Sequence, residues 1–99
     1  MYVTDLTHFL DKTGVIGPVK GPARAIAQFN VDVVAYASDV RPMVSPAPRC
    51  FKCKKRAIEA VRANDDAIVW RCPMCHTEGR ISNWQGSFWD LRDRPPVPG

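Results

Sequence analysis

Apolar residues in the first forty positions recur with helical spacing. Leu6, Phe9 and Leu10 fall at i, i+3 and i+4 behind Asp5, which is placed to cap a short helix that Gly14 would end. A turn-rich connector with Gly17 and Pro18 leads to Gly21. Pro22 then suits the first turn of a longer helix, in which Ile26, Phe29, Val33, Tyr36 and Val40 lie 3, 4, 3 and 4 residues apart on one stripe. Val31, Val33 and Val34 lower its intrinsic propensity, so this helix needs a packing partner.

The pattern changes at Pro42. Pro42, Pro46 and Pro48 forbid a helix and favour an extended strap. Beyond it, 57–62 and 67–71 read as two strands joined by Ala63-Asn64-Asp65-Asp66, where Asn and Asp supply the turn. A turn of helix at 56–63 is the competing reading of the same composition. Residues 79–84 read as a third strand with Ile81 inward. The chain thus divides into an N-terminal helical segment (1–42), a Pro-rich strap (43–48), a strand-rich segment (49–90) and an extended or disordered tail (91–99) carrying Pro95, Pro96 and Pro98.

Cys50, Cys53, Cys72 and Cys75 form two CxxC pairs separated by eighteen residues, and they are all the cysteines of the chain. Two such pairs wrap four thiolates around one ion, with Zn–S distances of about 2.3 Å, and the segment between them is long enough for a returning hairpin. The expected cofactor is one structural Zn²⁺. Paired disulfides would suit a secreted domain, but MYVTDLTHFL has no features of a signal peptide. A thioredoxin-like CxxC would need a helix start in a βαβ context. Iron is the closer competitor, because Cys-Pro-Met-Cys is a knuckle that either metal accepts. In a chain of 99 residues the core alone is marginal, which gives a structural metal its purpose.

The formal charge is +4, and a tetrathiolate zinc site would bring it to about +2. Its distribution is more informative. Residues 1–48 are neutral, whereas Arg49, Lys52, Lys54, Lys55, Arg56 and Arg62 gather in 49–62 against Glu59 alone. These cations have two readings: they neutralise a dianionic ZnS₄ centre, or they contact phosphates with Phe51 stacking on a base. Trp84, Phe88 and Trp89, around Gly86, likewise either fold back over the core or offer an aromatic partner contact. Trp70 reads as core. His76 reads as a neighbour of the metal site or a solvent residue, and His8 as a surface or capping histidine. No Ser-His-Asp arrangement, phosphate loop or carboxylate pair stands out, and four cysteines would close a zinc site to substrate.

Tyr2 to Asp11 (YVTDLTHFLD), Gly21 to Arg24 (GPAR) and Trp70 to Leu91 (WRCPMCHTEGRISNWQGSFWDL) together resemble a group of small uncharacterised bacterial zinc-ribbon proteins with an ISxWQGTxWD ending after a CPxC pair. The resemblance spans residues 2–91. Ser87 departs from it where the group has Thr, and His76 where it has Gly. The second departure bears on geometry, since Gly eases a positive φ that His adopts only at a cost. The resemblance implies a zinc-ribbon fold and carries no activity with it.

These readings predict a small α+β metal-bound domain: N-terminal helices packed on a three-stranded antiparallel zinc ribbon with rubredoxin-like knuckles. The expected function is non-enzymatic binding of a protein partner, as an interaction or adaptor module. Nucleic-acid binding by Arg49, Lys52, Lys54, Lys55 and Arg56 is the alternative. No apolar run approaches the length of a membrane span, and free thiolates suit the cytoplasm.

Overall fold

The computed structural model describes residues 1–17, 20–39 and 46–92. Along them run strand β1 (Tyr2–Asp5), a 3₁₀ turn (Leu6–Phe9), helix α1 (Gly21–Ser38) and strands β2 (Glu59–Arg62), β3 (Ile68–Arg71) and β4 (Glu78–Ser82). The sheet order is β1-β4-β3-β2; β2, β3 and β4 are antiparallel neighbours, while β1 lies parallel to β4 with Tyr2 beside Gly79 and Asp5 beside Ser82. The expected three-stranded antiparallel sheet is therefore corrected to a four-stranded mixed one. Tyr2, Val3 and Thr4 are good strand formers, and the free edge of β4 gives their backbone groups partners. Four residues are too few to display a period in sequence.

Asp5 caps as expected, accepting from Thr7 N at 3.0 Å and Thr7 Oγ1 at 2.6 Å. The capped segment is a single 3₁₀ turn rather than the expected helix, with Leu6 buried and Phe9 and Leu10 packed at the margin of the core.

Helix α1 begins with Pro22 in its first turn, but its buried face differs from the expected stripe. Ile26 is exposed and Tyr36 half-buried, whereas Ala27, Phe29, Asn30, Val31, Val33, Val34 and Ser38 are buried. The helix is covered from more than one side, by β2 and β3, by the 3₁₀ turn and by the C-terminal segment hydrogen-bonded to Ser38, so the buried arc is broad. It even takes in two polar residues, each satisfied locally: Asn30 Nδ2 donates to Ile26 O and Ser38 Oγ to Val34 O. Val40, Pro18, residues 43–45 of the strap and residues 93–99 of the tail lie outside the described residues.

The hairpin between the cysteine pairs forms as a β2–β3 ladder rather than a turn of helix, with Ala60 opposite Trp70 and Arg62 opposite Ile68. Its reversal places Asp66, not Asn64, at a positive φ of 71°. Ile68, Trp70 and Ile81 point from the sheet into the core, where they meet Leu6, Val31, Val34 and Trp84. On the opposite face, Val3 and Val61 are exposed. Among the described residues no helix is long and apolar enough to cross a membrane.

Candidate metal centre

The sheet brings the two cysteine pairs together. The second knuckle, Cys72 to Cys75, follows β3 directly and leads into β4. The first, Cys50 to Cys53, is tied to the start of the hairpin by an Arg49–Ala57 bridge and by Ile58 N donating to Pro48 O. Adjacent strands therefore deliver both knuckles to one end of the sheet.

The knuckles repeat one backbone design. Lys54 N donates to Cys50 O and His76 N to Cys72 O, both at 3.0 Å, and these donors sit at positive φ, 59° for Lys54 and 62° for His76. Cys50 N and Cys72 N in turn donate to Arg56 O and Thr77 O. His76 thus adopts the conformation that glycine would take at less cost, and Arg71 Nη2 lies 3.1 Å from its Nδ1. Nothing in the sequence marked the same strain at Lys54.

The four Sγ atoms all lie within 4.8 Å of one another. Cys50 and Cys75 sulfurs are 3.7 Å apart, and those of Cys53 and Cys72 are 3.6 Å apart. A tetrahedron with metal–sulfur bonds of about 2.3 Å has edges of about 3.8 Å, so these pairs have the separation that a shared ion requires. Each short edge joins one sulfur from either knuckle. All four cysteines are free, and the group fits a metal by its donor set as well as its geometry.

Cys50 and Cys72 are buried, while Cys75 is exposed. Burial pushes the Cys50 thiol up, against the backbone N–H groups of Cys53 and Lys52. The N–H of Lys55 holds the Cys53 thiol below its usual range. At Cys75 the Thr77 hydroxyl, 3.1 Å from the sulfur, and the Thr77 N–H bring the thiol down to about 6. Such donors stabilise thiolates, the form in which cysteine binds a metal. Thr77 was not legible in the sequence, where nothing about a threonine two residues past a cysteine marks it.

Compared with protein-family models, curated proteins and solved structures, the chain matches none of them. The site must therefore be interpreted through its own chemistry.

Phe51, between the first two cysteines, plugs that knuckle into the core. Its ring meets Phe29 at 5.1 Å, Tyr2 at 5.2 Å and Trp70 at 5.9 Å between centroids. These ring contacts leave it half-buried. Arg49, Lys52, Lys54, Lys55 and Arg56 are all exposed, and none pairs with a carboxylate among the described residues.

The C-terminal aromatic residues divide. Trp84 is fully buried: its Nε1 donates to Asp66 O at 2.7 Å, and the Arg92 guanidinium lies 4.7 Å from its ring. Trp89 packs against the core, and only Phe88 is exposed. Trp84 therefore presents no surface to a partner. His8 is exposed, 3.8 Å from an Asp5 oxygen, and belongs to no cluster of metal-ligating groups among the described residues.

Proposed function

We propose that this is a non-enzymatic zinc-ribbon protein of the cytoplasm, in which one structural Zn²⁺ held by Cys50, Cys53, Cys72 and Cys75 supports a protein-interaction module. The observation that carries the reading is the convergence of four thiols on one point from two knuckles of the same backbone design. Zinc is favoured over iron by the spacing of the CxxC pairs, and a reducing compartment keeps the thiolates available. Four protein ligands complete a tetrahedron and leave no open position for a substrate, which supports a structural role. The resemblance to bacterial zinc-ribbon proteins points the same way.

Metal analysis of the purified protein tests this directly. One zinc per chain is expected, and a strong chelator should red-shift the emission of buried Trp70 and Trp84 as the strand region opens. An iron-loaded protein with a visible absorption band, or emission indifferent to chelation, would overturn the proposal. Nucleic-acid binding is the second reading, favoured by the five exposed cations on the first knuckle. It requires salt-sensitive binding of oligonucleotides that is lost when those cations are neutralised with zinc retained.

A further inference from the structure

A cleft of about 500 Å³ opens between α1 and the first knuckle. Ala25, Phe29, Pro48 and Phe51 form its apolar lining, and Arg49 and Lys54 stand at its knuckle side. We propose that this cleft binds an extended acidic peptide segment, seating one of its apolar side chains against Phe29 and Phe51 while flanking carboxylates meet Arg49 and Lys54. The assignment rests on the interaction-module reading and names the partner chemistry it requires.

Charge and shape argue for this occupant together. The cations of the first knuckle lack carboxylate partners among the described residues, and an acidic ligand would complement them. The cleft is predominantly apolar, and its volume has room for an apolar side chain together with the backbone on either side of it, beside a charged rim. A nucleic-acid strand fits less well. The cleft sets two cations beside a mostly apolar wall, which suits one apolar side chain with flanking carboxylates better than a row of phosphates. The helix wall also carries Asp32, which accepts from Gln28 Nε2 at 2.9 Å, so the peptide's carboxylates are expected on the knuckle side, facing Arg49 and Lys54.

Cys50 belongs to the same wall, so the metal site and the cleft share a residue. Zinc would hold the knuckle side of the cleft against the helix. Peptide binding is accordingly expected of the zinc-loaded protein and not of the chelated one.

The test is fluorescence anisotropy with the full zinc-loaded chain and a labelled peptide bearing one leucine flanked by glutamates. The leucine peptide should bind, and replacing its leucine by glycine should weaken binding at least about tenfold. Ala25→Phe, which fills the cleft from an exposed helix position, should cause a similar loss at unchanged zinc content. So should Arg49→Glu combined with Lys54→Glu. Failure of the peptide to bind, equal binding of the leucine and glycine peptides, or displacement of the peptide by a lower concentration of single- or double-stranded DNA oligonucleotide would overturn the proposal. With one zinc per chain still present, those outcomes leave the zinc-bound fold standing, whereas a protein without zinc sinks the broader reading.

Discussion

Gly79 shows how one residue determines the packing around a strand. It pairs with Trp70 across β3 and β4, and a Cβ at this position would penetrate the Trp70 indole. Because that ring is buried among Tyr2, Phe29 and Phe51, it has little room to withdraw. Gly79→Ala should lower stability by about 1–3 kcal/mol, the usual cost of overpacking, measured by urea denaturation of the zinc-loaded protein. His76 poses the reverse case. Its φ of 62° is one that glycine adopts freely, and its ring contacts Arg71. His76→Ala keeps the strain and loses the contact, so it should be less stable than His76→Gly by about 1 kcal/mol. Equal denaturation midpoints for the two variants would show that the positive φ carries no strain.

Elements are joined by a few specific polar contacts. Ser38, at the end of α1, has its Oγ 3.1 Å from Trp89 O and accepts from Leu91 N at 2.9 Å, fastening the C-terminal segment to the helix. Ser38→Ala leaves Leu91 N–H without this acceptor and should cost about 1–2 kcal/mol, with faster hydrogen exchange at the Leu91 amide as its local signature. Asp90 secures the same segment by accepting from Arg92 Nε and Nη2, at 2.9 and 2.8 Å, and from Gly86 N at 2.8 Å. The Arg92 contacts chiefly hold its carboxyl at about 2, below the ordinary aspartate value of 3.8. The folded form is thus favoured by the ionised carboxylate: this stability is fully present above about pH 4 and is lost as pH falls towards 2. Asp90→Asn should therefore destabilise the protein at pH 7 by about 1–2 kcal/mol in thermal or urea unfolding. An unchanged midpoint would show that the Asp90–Arg92 pair contributes nothing to the fold.

At the scale of the whole molecule the cysteine cluster couples two regions far apart in sequence. One knuckle enters the core through Phe51 and α1, while the other emerges from the centre of the sheet. Without a metal, the two knuckles would lose the ion that links them, two of its four ligands being on buried cysteines. Cys72→Ser should therefore abolish stoichiometric zinc and unfold residues 49–84, seen as loss of amide dispersion in that segment. A native-like spectrum without zinc would mean that the core suffices alone.

The cysteine cluster that could hold a metal, the β2–β3 hairpin and the Asp5 cap were legible in sequence because each depends on neighbouring residues: CxxC spacing, turn-forming Asn and Asp, and a carboxylate two residues before the N–H that donates to it. β1 was not legible, since a strand of four residues is defined by the β4 edge it pairs with. Nor was the buried face of α1. Periodicity locates apolar residues, but the sheet, the 3₁₀ turn and the C-terminal segment together select which of them lose water, burying Asn30 and Ser38 while leaving Ile26 exposed. The burial of Trp84 and the cleft beside Phe51 are tertiary in the same sense. The sequence by itself determined which atoms can bind a metal and where the chain turns, because those are local properties. Only the tertiary structure decided which aromatic surfaces and charges remain open to a partner, because exposure depends on what the rest of the chain covers.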